Sequence, residues 1–89
     1  MKEVFEVKVK NELGLHTRPS TAIVQLLQNC KSDVFFKYKK HTINAKSILS
    51  ILMLAIRKNS KIVVTVEGED SLLVKKTLEK AFEDKFGDK

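Results

Sequence analysis

Cysteine occurs once, at Cys30, so no disulfide can form within the chain. That excludes a disulfide-stapled secreted scaffold and favours a reducing compartment such as the cytoplasm, with Cys30 read as a small buried apolar side chain. One proline and three glycines leave no room for a flexible linker or a low-complexity segment, and no internal repeat is visible. No apolar run approaches the roughly 20 residues that span a bilayer. The opening MKEVFEVKVK alternates charged with apolar residues, unlike the apolar stretch of a signal peptide. Histidine occurs only at His16 and His41, too thin a ligand supply for a transition-metal site; neither a metal nor another cofactor is expected.

What is present fits one soluble domain over residues 1–89, with 43% apolar and 31% charged side chains. The net charge of +6 raises the question of nucleic acid. The lysines are scattered over every segment, however, and no RNA-binding aromatic motif accompanies them. A solvated basic surface is the better reading.

Periodicity supplies the architecture. Residues 3–10 alternate, with Phe5, Val7 and Val9 on one side and Glu6, Lys8 and Lys10 on the other, which predicts a strand with one wet face. Residues 11–14 form a turn. From Thr17 the apolar period lengthens, and Ile23, Leu26, Leu27 and Cys30 mark the buried stripe of a helix whose first turn holds Pro19 and whose cap is His16. Val34, Phe36 and Tyr38 define a second strand, a turn near Lys40 and His41 leads to a short strand at 42–44, and AKSILSILMLAIRKN reads as a helix capped by Ser47. Ile62, Val64 and Val66 form the fourth strand, closed by Gly68. The last helix has Asp70 as N-cap, apolar positions at Leu73, Val74, Leu78, Ala81 and Phe82, and Gly87 as its stop. The β-α-β-β-α-β-α order predicts an α+β fold: a four-stranded antiparallel sheet with three helices on one face, an open-faced two-layer sandwich.

The stretch LGLHTRPS carries the chemistry. A helix start leaves unpartnered backbone N–H groups and partial positive charge, which together attract an anion. There His16 is kept as a neutral, nucleophilic imidazole, the amides of Thr17 and Arg18 can meet phosphoryl oxygens, and the Arg18 guanidinium can add a fork of donors. Phosphoryl transfer needs little beyond positioning and charge stabilisation. On spacing alone a second reading stays open, in which His16 merely caps a helix and Arg18 is a surface charge. Cys30 lies a helix length away on the apolar stripe, so a Cys–His nucleophile pair is not indicated.

GLHTRP resembles the phosphocarrier motif of the HPr family, the histidine-containing proteins of the phosphoenolpyruvate:sugar phosphotransferase system, usually worded Gly-Leu-His-Ala-Arg-Pro. NAKSILSILML resembles the family's second signature and VTVEGEDS its junction of strand and last helix, so the likeness runs over essentially the whole chain. The resemblance implies an open-faced β-sandwich. It also implies that His16 is the phosphoacceptor through Nδ1, with Arg18 and the first-turn amides stabilising the phosphate. As a carrier rather than an enzyme, the protein would take the group from Enzyme I and pass it to an Enzyme IIA-type acceptor. Ser47 matches the serine modified by HPr kinase/phosphorylase in some members, which suggests an alternative role as a mainly regulatory module. The second helix is apolar almost all round, so some of its side chains must face solvent, and Ile48, Leu49 and Leu52 are the expected docking residues. A carrier that presents one surface to successive partners is expected to be a monomer, without nucleic acid or membrane insertion. Thr17 and Ser20 depart from the family's usual alanines and add hydroxyls near the phosphate, and the strongly basic charge is a further departure.

Overall fold

Four segments become strands because alternate apolar side chains meet the core, while the other face is mostly polar, with Val4, Phe35 and Val63 as its apolar exceptions. In a computed structural model, which describes residues 1–89, they are β1 (Lys2–Lys8), β2 (Asp33–Tyr38), β3 (His41–Asn44) and β4 (Lys61–Glu67). All pairings are antiparallel and the spatial order is β1-β4-β2-β3. The register sets Phe5, Val64, Phe36 and Ile43 in one row across the sheet, on the face that carries the core. Two helices connect these strands, α1 (Thr17–Leu27) and α2 (Ile48–Met53), a third, α3 (Ser71–Glu83), follows β4, and a 3₁₀ turn at Lys85–Gly87 comes last.

The core consists of the inward row of each strand and one narrow stripe per helix: Ile23 and Leu27 from α1, Ile51 from α2, and Val74, Leu78 and Phe82 from α3. Phe82 stands edge-on to Phe36, with ring centroids 6.0 Å apart, and to Phe86 at 4.8 Å, so the segment after α3 is anchored to the core. Val9 is fully buried although it lies beyond β1, and it pairs with the residue 59–60 turn through its own amide and carbonyl.

Three expectations shift. Leu26 and Leu73, placed on buried stripes by the sequence, are exposed. A helix lying on a sheet buries positions four apart, and Leu26 is about 60° round the axis from Ile23, enough to turn it outward. Cys30 is half-buried at the edge of the core, its thiol 3.4 Å from the Ser32 carbonyl oxygen, instead of lying fully inside. The helix expected through AKSILSILMLAIRKN is shorter: α2 stops at Met53, and Ala55 takes a left-handed φ of 49°. That break lets Ile56 turn into the core, where it is only 3% exposed.

Asp70 stands at the N-cap of α3 but does not cap that helix with its side chain. Its carboxylate accepts hydrogen bonds from the Lys31 and Ser32 amides at 2.8 and 2.9 Å and from the Ser32 hydroxyl. The loop before β2 is thus tied to the start of α3. The Ser32 hydroxyl first, then the Lys31 amide, hold the Asp70 carboxyl below its ordinary value. A group whose pKa is lower folded than unfolded stabilises the fold above its unfolded pKa, and that contribution is lost as pH falls through the folded value. Thermal melts should therefore show native Tm falling as pH drops below about 4, with a shallower fall in Asp70→Asn; parallel curves would show that the linkage lies elsewhere.

Candidate functional site

The loop between β1 and α1 is fixed on both sides of the exposed Leu13. Gly14 closes a turn by donating its N–H to the Asn11 carbonyl at 3.0 Å. Leu15 is buried, its N–H donates to the Ile56 carbonyl at 2.9 Å, and its own carbonyl accepts the Ser20 hydroxyl at 2.8 Å. The chain then reaches His16 in extended conformation (φ −74°, ψ −166°), and α1 begins at the next residue. The sequence reading of the cap and helix start is thus matched to the residue.

At this helix end the amides of Thr17 and Arg18 have no partner within the chain, Pro19 has no N–H, and the Ser20 N–H is already bonded to the His16 carbonyl at 3.1 Å. Only two donors therefore point outward, and His16 provides no side-chain cap for them. An anion placed there gains both. The Ser20 hydroxyl, expected near the phosphate, is instead buried and committed to Leu15, so it braces the loop. Thr17 remains exposed at the helix start.

The imidazole is neither free nor buried: the His16 side chain is 31% exposed, and its Nε2 lies 2.7 Å from Oδ2 of Asp88. The other oxygen of that carboxylate is 3.8 Å from the Arg18 guanidinium, whose side chain is 79% exposed. The hydrogen bond from His16, followed by the Lys89 amide, holds the Asp88 carboxyl below its ordinary value. Asp88 is consequently a carboxylate at neutral pH and can only accept, so in this contact it is Nε2 of the ring that donates. The segment that brings Asp88 here is held by Asn11, whose buried amide donates to the Lys85 carbonyl at 2.8 Å, and by Glu12, whose N–H donates to the Lys89 main-chain oxygen at 2.8 Å. Glu12, Leu13, His16, Arg18, Asp88 and Lys89 together line a shallow hollow.

The second expected region lies on α2. Ser47 is its N-cap, accepting the Ser50 N–H at 3.3 Å, and is half-buried. Ile48 and Leu49 are exposed, Leu49 at 65%, whereas Leu52 is half-buried. Met53, which the sequence reading passed over, is the most exposed side chain of the helix at 77%. A six-residue helix that sinks Ile51 into the core necessarily turns its opposite side to water.

A family model described as the phosphorylation site of the PTS HPr component matches residues 4–84. The chain belongs to the HPr family. Among its relatives, a phosphocarrier protein HPr of Chlamydia pneumoniae is 41% identical over 80 residues, which make up 90% of this chain and 74% of the relative. Another, from Xylella fastidiosa (strain Temecula1), is 34% identical over 83 residues, 93% of either chain. The crystal structure of HPr-C-His from Thermoanaerobacter tengcongensis superposes with a TM-score of 0.92 at 30% identity, covering 98% of both chains. The antiparallel four-stranded sheet with its three helices is thus the HPr architecture.

Proposed function

We propose that the protein is a phosphocarrier of the phosphotransferase system, alternately phosphorylated and dephosphorylated on Nδ1 of His16. The observation that carries this reading is the helix start itself: a partly exposed imidazole beside two unpartnered amides and an exposed guanidinium. In the forward step the Nδ1 lone pair forms the N–P bond while the bond from phosphorus to the donor nitrogen of phospho-Enzyme I breaks, the electron pair leaving with the donor. The Thr17 and Arg18 amides and the Arg18 side chain take up the charge on the phosphoryl oxygens. An Enzyme IIA-type acceptor then attacks phosphorus and Nδ1 recovers its pair. The chain carries the group and is not itself the catalyst of a substrate reaction, and it acts as a monomer in the cytoplasm.

Partners dock over Ile48, Leu49 and Leu52, the half-exposed apolar side of α2, to which Met53 adds area. The net charge of +6 hastens encounter with acidic partners. Ser47 is the second modified position, addressed by an HPr kinase/phosphorylase; a phosphate there adds close to −2 charge next to Ile48 and opposes docking.

Incubation with phosphoenolpyruvate and Enzyme I is expected to leave one acid-labile, alkali-stable phosphate per chain, located at His16 by mass spectrometry. Absence of such a label overturns the carrier reading. With ATP and the kinase, an acid-stable phosphate should form and should disappear in Ser47→Ala; its persistence in that variant removes the assignment.

A further inference from the structure

We propose that Asp88 is a positioning residue for the phosphoacceptor: it holds the imidazole proton on Nε2, leaves Nδ1 as the nucleophile, and balances the positive charge that the ring acquires on transfer. The inference rests on the carrier reading above. It starts from a contact that no local pattern encodes, 2.7 Å between the Asp88 carboxylate and the ring of a residue 72 positions earlier.

A neutral imidazole in solution can place its one proton on either nitrogen, and only the bare nitrogen attacks phosphorus. A carboxylate beside Nε2 settles the choice, because it can accept a hydrogen bond but has none to give. Once Nδ1 has bonded to phosphorus, Nε2 still carries its proton, so the ring is formally an imidazolium joined to PO₃. Asp88 faces that charge across a short hydrogen bond. When the group is handed on, the N–P electron pair returns to Nδ1 and the ring is neutral again. No proton moves in either direction, and Asp88 remains ionised throughout.

The carboxylate is held where this requires. Its side chain is only 11% exposed, and the segment bearing it is fastened by the Asn11 and Glu12 hydrogen bonds and by the edge-on packing of Phe86 against Phe82. The second carboxylate oxygen keeps Arg18 within 3.8 Å while no phosphate is present. Phosphoryl oxygens bound at the helix start compete for that guanidinium, whereas the bond from Nε2 to Asp88 has no reason to break. One residue thus serves the ring in both states and Arg18 in one.

The test compares native protein with Asp88→Ala and Asp88→Asn, the second retaining an acceptor oxygen without the charge. Ring-nitrogen NMR of the ¹⁵N-labelled protein at alkaline pH reads the tautomer directly, with exposed His41 as an internal reference. Native His16 is expected almost wholly in the Nε2–H form, Asp88→Ala to lose that bias, and Asp88→Asn to fall between. The rate of phosphate uptake at limiting Enzyme I should drop roughly tenfold in Asp88→Ala, the low end of the loss when an outer partner of a metal-bound histidine is removed, and less in Asp88→Asn. Thermal melts of the three proteins report whether the fold is intact. An Nδ1–H tautomer in the native protein, or an Asp88→Ala variant with native tautomer and native rate, overturns the proposal. Failure of the native protein to take up phosphate refutes the carrier function instead, and the tautomer measurement still decides what Asp88 does to the ring.

Discussion

His16→Ala is expected to take up no phosphate from phosphoenolpyruvate and Enzyme I, with its fold essentially unchanged. The two halves of that expectation come from different parts of the structure. The functional loss is complete because the ring supplies the atom that bonds to phosphorus, and neighbouring groups that stabilise charge cannot replace a missing nucleophile. The other histidine offers no substitute: His41 is exposed at the start of β3, in a hollow that no arginine lines. The structural half follows from what His16 does not do. It makes no side-chain cap hydrogen bond to α1, whose first-turn amides are left open. The covering of that end by Leu15 and Pro19, both buried, is untouched by the substitution. Losing the side chain should therefore cost about 1–2 kcal/mol, chiefly because the mostly buried Asp88 carboxylate loses its ring partner. Phosphate measured by acid lability, beside a thermal melt of the same sample, checks both. Label retained in the variant places the acceptor elsewhere.

The element order was legible because the apolar period changes sharply at each boundary. Phe5, Val7, Val34, Phe36, Ile62, Val64 and Val66 alternate, and every one of them faces the core side of the sheet. The start of α1 was legible to the residue, since Pro19 tolerates only the first turn and His16 is then left as the flanking position. Helix stripes were read too broadly. Leu26 and Leu73 are apolar at nearly the right spacing, but their exposure depends on how each helix axis lies on the sheet, and that is a tertiary fact. The end of α2 was likewise hidden, because Leu54, Ala55 and Ile56 have good helical character. Burial of Ile56 and the demand of Leu15 for its carbonyl override that propensity.

The same division runs through the site. His16, Thr17 and Arg18 are consecutive, so one short motif displays both the nucleophile and the anion-binding helix start. Asp88 is 72 positions from the ring it touches, in a stretch whose composition, EDKFGDK, suggests only a solvated end to a helix. Even the role of Asp70 was only half visible: the sequence places it as a cap, whereas its carboxylate is spent on Lys31 and Ser32 across the fold. Local chemistry was readable, then, and the partners that fix its protonation were not.

Gly14→Ala is expected to be the substitution outside the hydrophobic core that most damages both stability and function. Gly14 adopts φ +67°, a conformation that costs an alanine about 1–2 kcal/mol. A methyl group there would also collide with the Ile56 carbonyl oxygen and lie 2.9 Å from the Arg57 Cα. Both are backbone atoms, and the Ile56 carbonyl is the acceptor that holds Leu15, so neither can rotate aside as a side chain would. Relieving the overlap means moving the 11–15 loop off the segment after α2, at a further cost of about 1–3 kcal/mol by the measure of other overpacked sites. The sum is about 2–5 kcal/mol, which in a domain of this size lowers Tm by roughly 8–40 °C. Because Leu15 leads directly into His16, the same displacement shifts the imidazole relative to Asp88 and to the Thr17 and Arg18 amides. Phosphate uptake should accordingly fall well below native even at temperatures where the variant remains folded, as circular dichroism and labelling on one sample will show. A variant that melts like the native protein means the loop has room that its packing against Ile56 denies; one that melts early yet accepts phosphate at the native rate means the helix start alone positions the ring.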